Sequence, residues 1–254
     1  MSKINYDAKK NLEEFIVKIN NVLILGSAPN AVLARNWKVE QFSSLVVINN
    51  AWQIRSEWTH NIFPSDFPTQ KRPKPTIKQH LISAKNYVPI QNDFGGFVYA
   101  GGTMAITASY WALAILKPTN LYFLGCDMVY GSGKTHFYGR GTPDPLRKDI
   151  SLRSLEAKSS RFECFASMAQ CSVFNLSEEK RSRLVYRRKK ISEAKLDTNE
   201  TPRKIDKKKF AKAIALENKL NYFVADGKYW KHEASFDPKQ IDKLDKIWLK
   251  CLTN

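Results

Sequence analysis

The stretch GCDMVYGSGKTHFYGRGTPDP, Gly125 to Pro145, is the densest collection of reactive side chains in the chain. Asp127, Tyr130, Lys134, His136, Tyr138, Arg140 and Asp144 follow one another among glycines, directly after the apolar run Asn120–Leu124. Glycines alone would suit any structural loop. Phenols, an imidazole and cations together suit a functional lid on a rigid strand. Tyrosine hydroxyls and cations are groups that can hydrogen-bond or pair with an anion. An imidazole titrating near neutrality can take the proton of an attacking hydroxyl.

Three other turns offer binding chemistry. In VLILGSAPNA, residues 22 to 31, four apolar residues run into Gly26-Ser27-Ala28-Pro29. With its single glycine this is neither a dinucleotide fingerprint nor a phosphate loop. Gly26 still permits close backbone approach, and Ser27 adds a hydroxyl. Asn49 and Asn50 end the next apolar run, with amides that can read ribose hydroxyls or a base edge. Gly101-Gly102-Thr103 opens a long apolar segment. The free N–H groups at a helix start suit an anion, and Thr103 can also serve as N-cap.

These residues need a scaffold that brings them together. Val22–Leu25, Leu45–Ile48, Asn61–Phe63, Asn120–Leu124 and Ser172–Leu176 read as strands. Val88–Ile90 and Phe97–Tyr99 also read as strands, around Phe94-Gly95-Gly96. Helices are expected at Asn11–Ile19, Leu33–Phe42, Thr103–Leu116, Asp149–Met168, Phe210–Tyr222 and Pro238–Leu252. The prolines at 64, 68, 73 and 75 mark a loop over 64–76. Strands alternating with helices predict an α/β fold: a doubly wound, mostly parallel sheet with helical additions at the C-terminal end. Such sheets bind ligands beyond the carboxyl ends of their strands. Gly26-Ser27, Asn49-Asn50, Ser65-Asp66 and Gly125-Cys126-Asp127 should therefore share one crevice.

Composition adds a second theme. The chain of 254 residues carries a net charge of +17. Residues Lys180 to Lys212 hold 14 Lys or Arg against four acids, which favours an anionic partner. Cys126, Cys164, Cys171 and Cys251 are scattered, with neither zinc spacing nor a disulfide pattern, and read as reduced packing residues. No apolar run approaches the ~18 residues of a membrane span, and Met1–Lys10 is too polar for a signal peptide. The expectation is a cytoplasmic protein that can rest on the inner membrane. Its expected divisions are a catalytic domain at 1–178, a basic linker or lid at 179–212 and a helical segment at 213–254.

The order of these pieces resembles the bacterial sialyltransferases of glycosyltransferase family 42 and their wider Rossmann-like relatives. The shared order is strand–G-S-A-P, a strand ending in Asn, a small-residue turn into an apolar helix, then LYFLGCDMVY. The resemblance spans about residues 21–176. It implies a CMP-activated acidic sugar as donor, a saccharide or glycolipid as acceptor, and no required metal or other cofactor. By position, Gly26 and Ser27 would lie on the nucleotide and Asn50 on the cytidine, with Asn49 beside it. Ser65 or Asp66 falls near a second donor-binding asparagine, and Thr103 with Gly102 lies at the phosphate. Gly125 and Asp127 border the same site. Tyr130 matches a tyrosine that hydrogen-bonds the departing phosphate; the second such tyrosine falls at His136, with Tyr138 close by. The family's base histidine comes after this loop, yet residues 139–175 hold no His. His136 becomes the expected base, with His232 and Asp144 behind it, while His60 and His80 read as structural or surface residues. The donor sugar stays open among sialic acid, Kdo and other nonulosonic acids.

Two other classes remain at this stage. A pterin or nucleotide phosphotransferase would need Mg²⁺ and clustered carboxylates, for which Asp127 and Asp144 are the candidates. A nucleic-acid-binding protein would explain the charge, but the basic block lacks interleaved aromatics and any zinc-finger or RNA-recognition signature.

Overall fold

A computed structural model describes residues 19–131, 133–141, 147–191 and 200–253. Among them, seven strands form one sheet: β1 (Asn21–Leu25), β2 (Ser44–Ile48), β3 (His60–Ile62), β4 (His80–Ile82), β5 (Asn120–Leu124), β6 (Ser172–Asn175) and β7 (Arg187–Arg188). Their order is β4-β3-β2-β1-β5-β6-β7, and every pairing is parallel. The chain winds outward from β1 in one direction, then returns to the other side of β1 with β5. That reversal lies between β1 and β5, where an open α/β sheet opens a crevice.

The apolar runs are continuous because the central strands are buried on both faces. Val22 and Ile24 of β1 face one core together with Val46, Leu121, Phe123 and Val173. Leu23 and Leu25 face the other with Leu45, Val47, Tyr122 and Phe174. The first core is covered by α1 (Ala84–Asp93), α3 (Met104–Leu116) and α4 (Leu155–Met168). The second is covered by 3₁₀ turns at Pro29–Asn36 and Asn49–Ile54.

Some expected elements change type. Val88–Ile90 lies inside α1, and Phe97–Tyr99 lies in the short α2 (Phe97–Ala100). The β-branched residues there pack against a helix face, and the cap chemistry decides the outcome: Asn86 Oδ1 accepts the Ser83 backbone N–H at 3.0 Å. The segment Leu33–Phe42 forms two 3₁₀ pieces, Pro29–Asn36 and Val39–Gln41, started early by Pro29. The helix expected over Asp149–Met168 splits, because Ser154 caps α4 through the Ala157 N–H at 3.1 Å. Nearly all of the helix expected at Asn11–Ile19 lies outside the described residues, as does Asp144.

The C-terminal part is built into the body. α5 (Lys207–Leu220) and α6 (Pro238–Trp248) pack on α4 around a third core that includes Phe236, Ile241, Leu244, Trp248 and Cys251. Two buried ion pairs fasten it: Lys158–Asp245 at 3.1 Å and Arg161–Glu217 at 2.7 Å. Within the basic segment, β7 pairs with β6, and Asp206 caps α5 through the Lys208 and Lys209 N–H groups. No helix among the described residues is long and apolar enough to cross a membrane. The four cysteines are free and buried.

Candidate functional site

A cleft of about 750 Å³ opens over the carboxyl ends of the strands. Its size is that of a small-molecule site. Of the residues read from the sequence, Gly26, Ser27, Asn49, Ser65, Asp66, Gly102, Thr103, Gly125, Tyr130, His136 and Tyr138 all line it. They come from five separate turns, so the convergence expected of a parallel sheet is met.

Two glycines close the junction of β1 and β5. A Cβ on Gly26 would stand 2.2 Å from the Gly125 carbonyl oxygen. Gly125 itself has φ +69°, a left-handed conformation that favours glycine. The Gly26 N–H donates to the Leu124 carbonyl at 2.8 Å, and the Ala28 N–H to the Gly125 carbonyl at 3.1 Å. Ser27 is thereby held at the floor of the cleft.

The opposing wall is the start of α3. Thr103 is buried; its Oγ1 accepts the Ile106 N–H at 3.3 Å, so it is the N-cap. Met104 and Ala105 in the first turn also face the cleft. An unsatisfied helix N-terminus beside a small-residue turn attracts an anion.

The loop after β5 arches over this floor. The Phe137 N–H donates to the Ser27 carbonyl at 3.0 Å, while His136 and Gly139 exchange backbone bonds at 2.9 and 3.0 Å. The His136 ring stacks on Tyr138 at 5.0 Å and lies 6.2 Å from Tyr130. Its Nδ1 meets Thr135 Oγ1 at 2.9 Å, and that oxygen accepts the Gly141 N–H at 3.1 Å. A Cβ on Gly141 would stand 2.7 Å from the imidazole, so a side chain there would displace the ring. Burial lowers the His136 pKa, which keeps the ring neutral at neutral pH. Lys134 and Arg140 are exposed and outside the lining.

Three expected residues point elsewhere. Asn50 is buried in the 3₁₀ turn behind Asn49; successive residues of so tight a turn face different ways, and Asn49, at φ 51°, takes the cleft side. Asp127 is consumed by structure. Its carboxylate accepts Asn30 Nδ2 at 3.1 Å and Asn175 Nδ2 at 3.0 Å, tying the turn after β1 to the ends of β5 and β6. His232, the reserve base, ends a 3₁₀ turn at the surface and is outside the lining. Cys126 lines the cleft, but burial pushes its thiol well up.

The lining next to the α3 start is made of residues that the sequence signals did not mark: Arg147, Asp149 and the run Asp226–Trp230. Tyr229 is their keystone. Its hydroxyl donates to Asp149 Oδ2 at 2.8 Å and accepts from Ser151 Oγ and Arg147 Nη2, each at 3.1 Å. Burial foremost pushes its pKa up to about 12. A Cβ on Gly102 would stand 2.6 Å from both Ser151 Oγ and the Tyr229 hydroxyl, so this network abuts the phosphate-type turn. The Asp226-Gly227 turn followed by two aromatics was the available signal. Among the described residues no three His, Cys, Asp or Glu side chains gather as a metal cluster.

Fold and cleft together define an α/β protein with a Rossmann-like parallel sheet and a small-molecule cavity at its switch point. Compared with protein-family models, curated proteins and solved structures, the chain matches none of them.

Proposed function

We propose that this protein transfers an acidic sugar from a CMP-activated donor to a saccharide or glycolipid acceptor. The observation that carries the reading is the meeting of Ser27, Thr103, Tyr130 and His136 in one cleft, beside the N-terminus of α3. The order of turns that resembles the family 42 sialyltransferases also supports it.

On this reading the donor phosphate rests against Gly102, Thr103 and the first turn of α3. The acceptor hydroxyl attacks the anomeric carbon as the bond from that carbon to the phosphate oxygen breaks. The bonding electrons leave with CMP. The helix N-terminus and the Tyr130 hydroxyl stabilise the charge that develops there. The acceptor proton passes to His136. Thr135 Oγ1 at 2.9 Å receives the Nδ1 proton in the required tautomer, leaving Nε2 as the base. Tyr138, stacked on the imidazole, holds the ring in place. The basic segment would draw the enzyme to an anionic surface that presents the acceptor.

A thermal-shift panel with CMP, CDP, UDP, ATP and NAD tests the proposal, with and without Mg²⁺. A ligand that binds the native state raises Tm by mass action. Stabilisation by CMP or CDP in the absence of metal is the expected result. A response confined to Mg-ATP would replace the reading with phosphotransfer.

A further inference from the structure

Trp230 stands out among the aromatic residues of the cleft because it is 59% exposed while it lines the cavity. Its backbone is firmly placed. Tyr229, directly before it, is buried with its hydroxyl bonded to Asp149, Ser151 and Arg147. The Tyr229 ring stacks on Phe97 at 6.0 Å and meets the indole edge-on at 5.5 Å. The turn before it is equally tight. Gly227 has φ +73°, and a Cβ there would stand 3.0 Å from Phe97. The Asn92 amide donates to the Ala225 carbonyl at 2.7 Å.

An exposed indole on a backbone fixed in this way loses little entropy on meeting a flat apolar surface. The same rim carries the Asp226 carboxylate and the Lys228 ammonium. A pyranose ring matches this arrangement: C–H groups on one face, hydroxyls around its edge. The Asp226 carboxylate, which already accepts the Lys228 backbone N–H at 2.9 Å, and the exposed Lys228 side chain can both hydrogen-bond such hydroxyls.

We infer that Trp230 is the stacking platform for a neutral pyranose of the acceptor, with Asp226 and Lys228 receiving its ring hydroxyls. This inference rests on the transfer reading for the word acceptor. The saccharide site itself stands on the cleft alone. It places the acceptor on the Asp226–Trp230 wall, which adjoins the Gly102 turn through Tyr229.

The test uses the full chain and methyl glucoside, methyl galactoside and methyl mannoside as probes. Saturation-transfer NMR reads contact at the ring C–H protons, and calorimetry with CMP reads the nucleotide side. With at least one pyranoside, the wild type is expected to give a ring C–H signal that falls at least fivefold in Trp230→Ala. Trp230→Phe, which keeps an aromatic face, should retain most of it. CMP affinity should stay within twofold in both variants, which also reports that they fold. Absence of a pyranoside signal on the wild type, or its survival in Trp230→Ala, overturns the platform. Pyranoside binding without CMP binding would instead sink the transfer reading and leave the platform standing.

Discussion

The buried pair Arg161–Glu217 holds the C-terminal helices to the sheet domain, and its removal should be severe in a specific way. Arg161 Nε and Nη2 meet the two Glu217 oxygens at 2.8 and 2.7 Å. The guanidinium also donates to the Tyr110 hydroxyl at 2.7 Å and the Phe94 carbonyl at 2.6 Å. Trp248 Nε1 donates to Glu217 Oε1 at 2.9 Å. Burial opposes the charge on Arg161, but Glu217 and Tyr110 hold its pKa above the ordinary value. Glu217→Ala would leave that cation in the core without its counter-ion, a loss of about 3–5 kcal/mol. With a urea m-value of about 3 kcal/mol/M, the unfolding midpoint should drop by roughly 1–1.7 M. The double variant Arg161→Met, Glu217→Leu removes both charges while filling similar volume. It should return to within about 2 kcal/mol of wild type, the remainder being the stranded Phe94 carbonyl and Trp248 N–H. Urea denaturation followed by circular dichroism on wild type, Arg161→Met, Glu217→Leu and the double variant provides the four corners of the cycle. Losses that simply add in the double variant, or a Glu217→Ala midpoint unchanged from wild type, would refute the reasoning.

Three further outcomes are expected. Tyr130→Phe should lower kcat by roughly 10- to 100-fold with CMP affinity nearly unchanged, since the hydroxyl acts on charge present mainly in the transition state; a change in CMP affinity alone would count against that role. The transfer rate should fall as pH drops through the depressed pKa of His136 and level off at neutral pH, and His136→Asn should abolish that acidic limb. Stability should also decline on acidification because of His60, whose pKa is lowered to about 4 by burial and by His80. The unfolded chain takes up this proton near pH 6.5 and the fold resists until about 4, so stability is full above 6.5 and is lost between the two values. The ring is partly open to solvent, so the loss should be about 1–2 kcal/mol. His60→Phe should flatten that part of a urea-midpoint-against-pH curve.

How far the sequence could be read follows from where each residue sits. The strands at the centre of the sheet were legible because both of their faces are buried, leaving unbroken apolar runs such as Val22–Leu25. The edges were not. β4 carries His80 and β7 is Arg187–Arg188, because an outer strand faces solvent on one side. Val88 and Phe97 misled because bulky apolar residues fit a helix packed on a sheet as well as a strand. Most of the cleft was legible because a parallel sheet places its turns on one rim, so Ser27, Ser65 and Thr103 meet without any sequence proximity. Asn50 and Asp127 failed for a finer reason: residue type announces polarity, while a single step along a turn decides between cleft and interior. The wall at Asp226–Trp230 lies 88 residues (226 − 138) beyond Tyr138, and only tertiary packing through Tyr229 brings it to the cleft.

The single backbone bond from Phe137 to the Ser27 carbonyl has a mechanical corollary. Ser27 stands at the mouth of β1, and Phe137 immediately follows the imidazole-bearing residue. The imidazole is thereby anchored to the β1 end of the sheet through a single peptide unit, so the loop that carries it is sited by the same turn that floors the cleft.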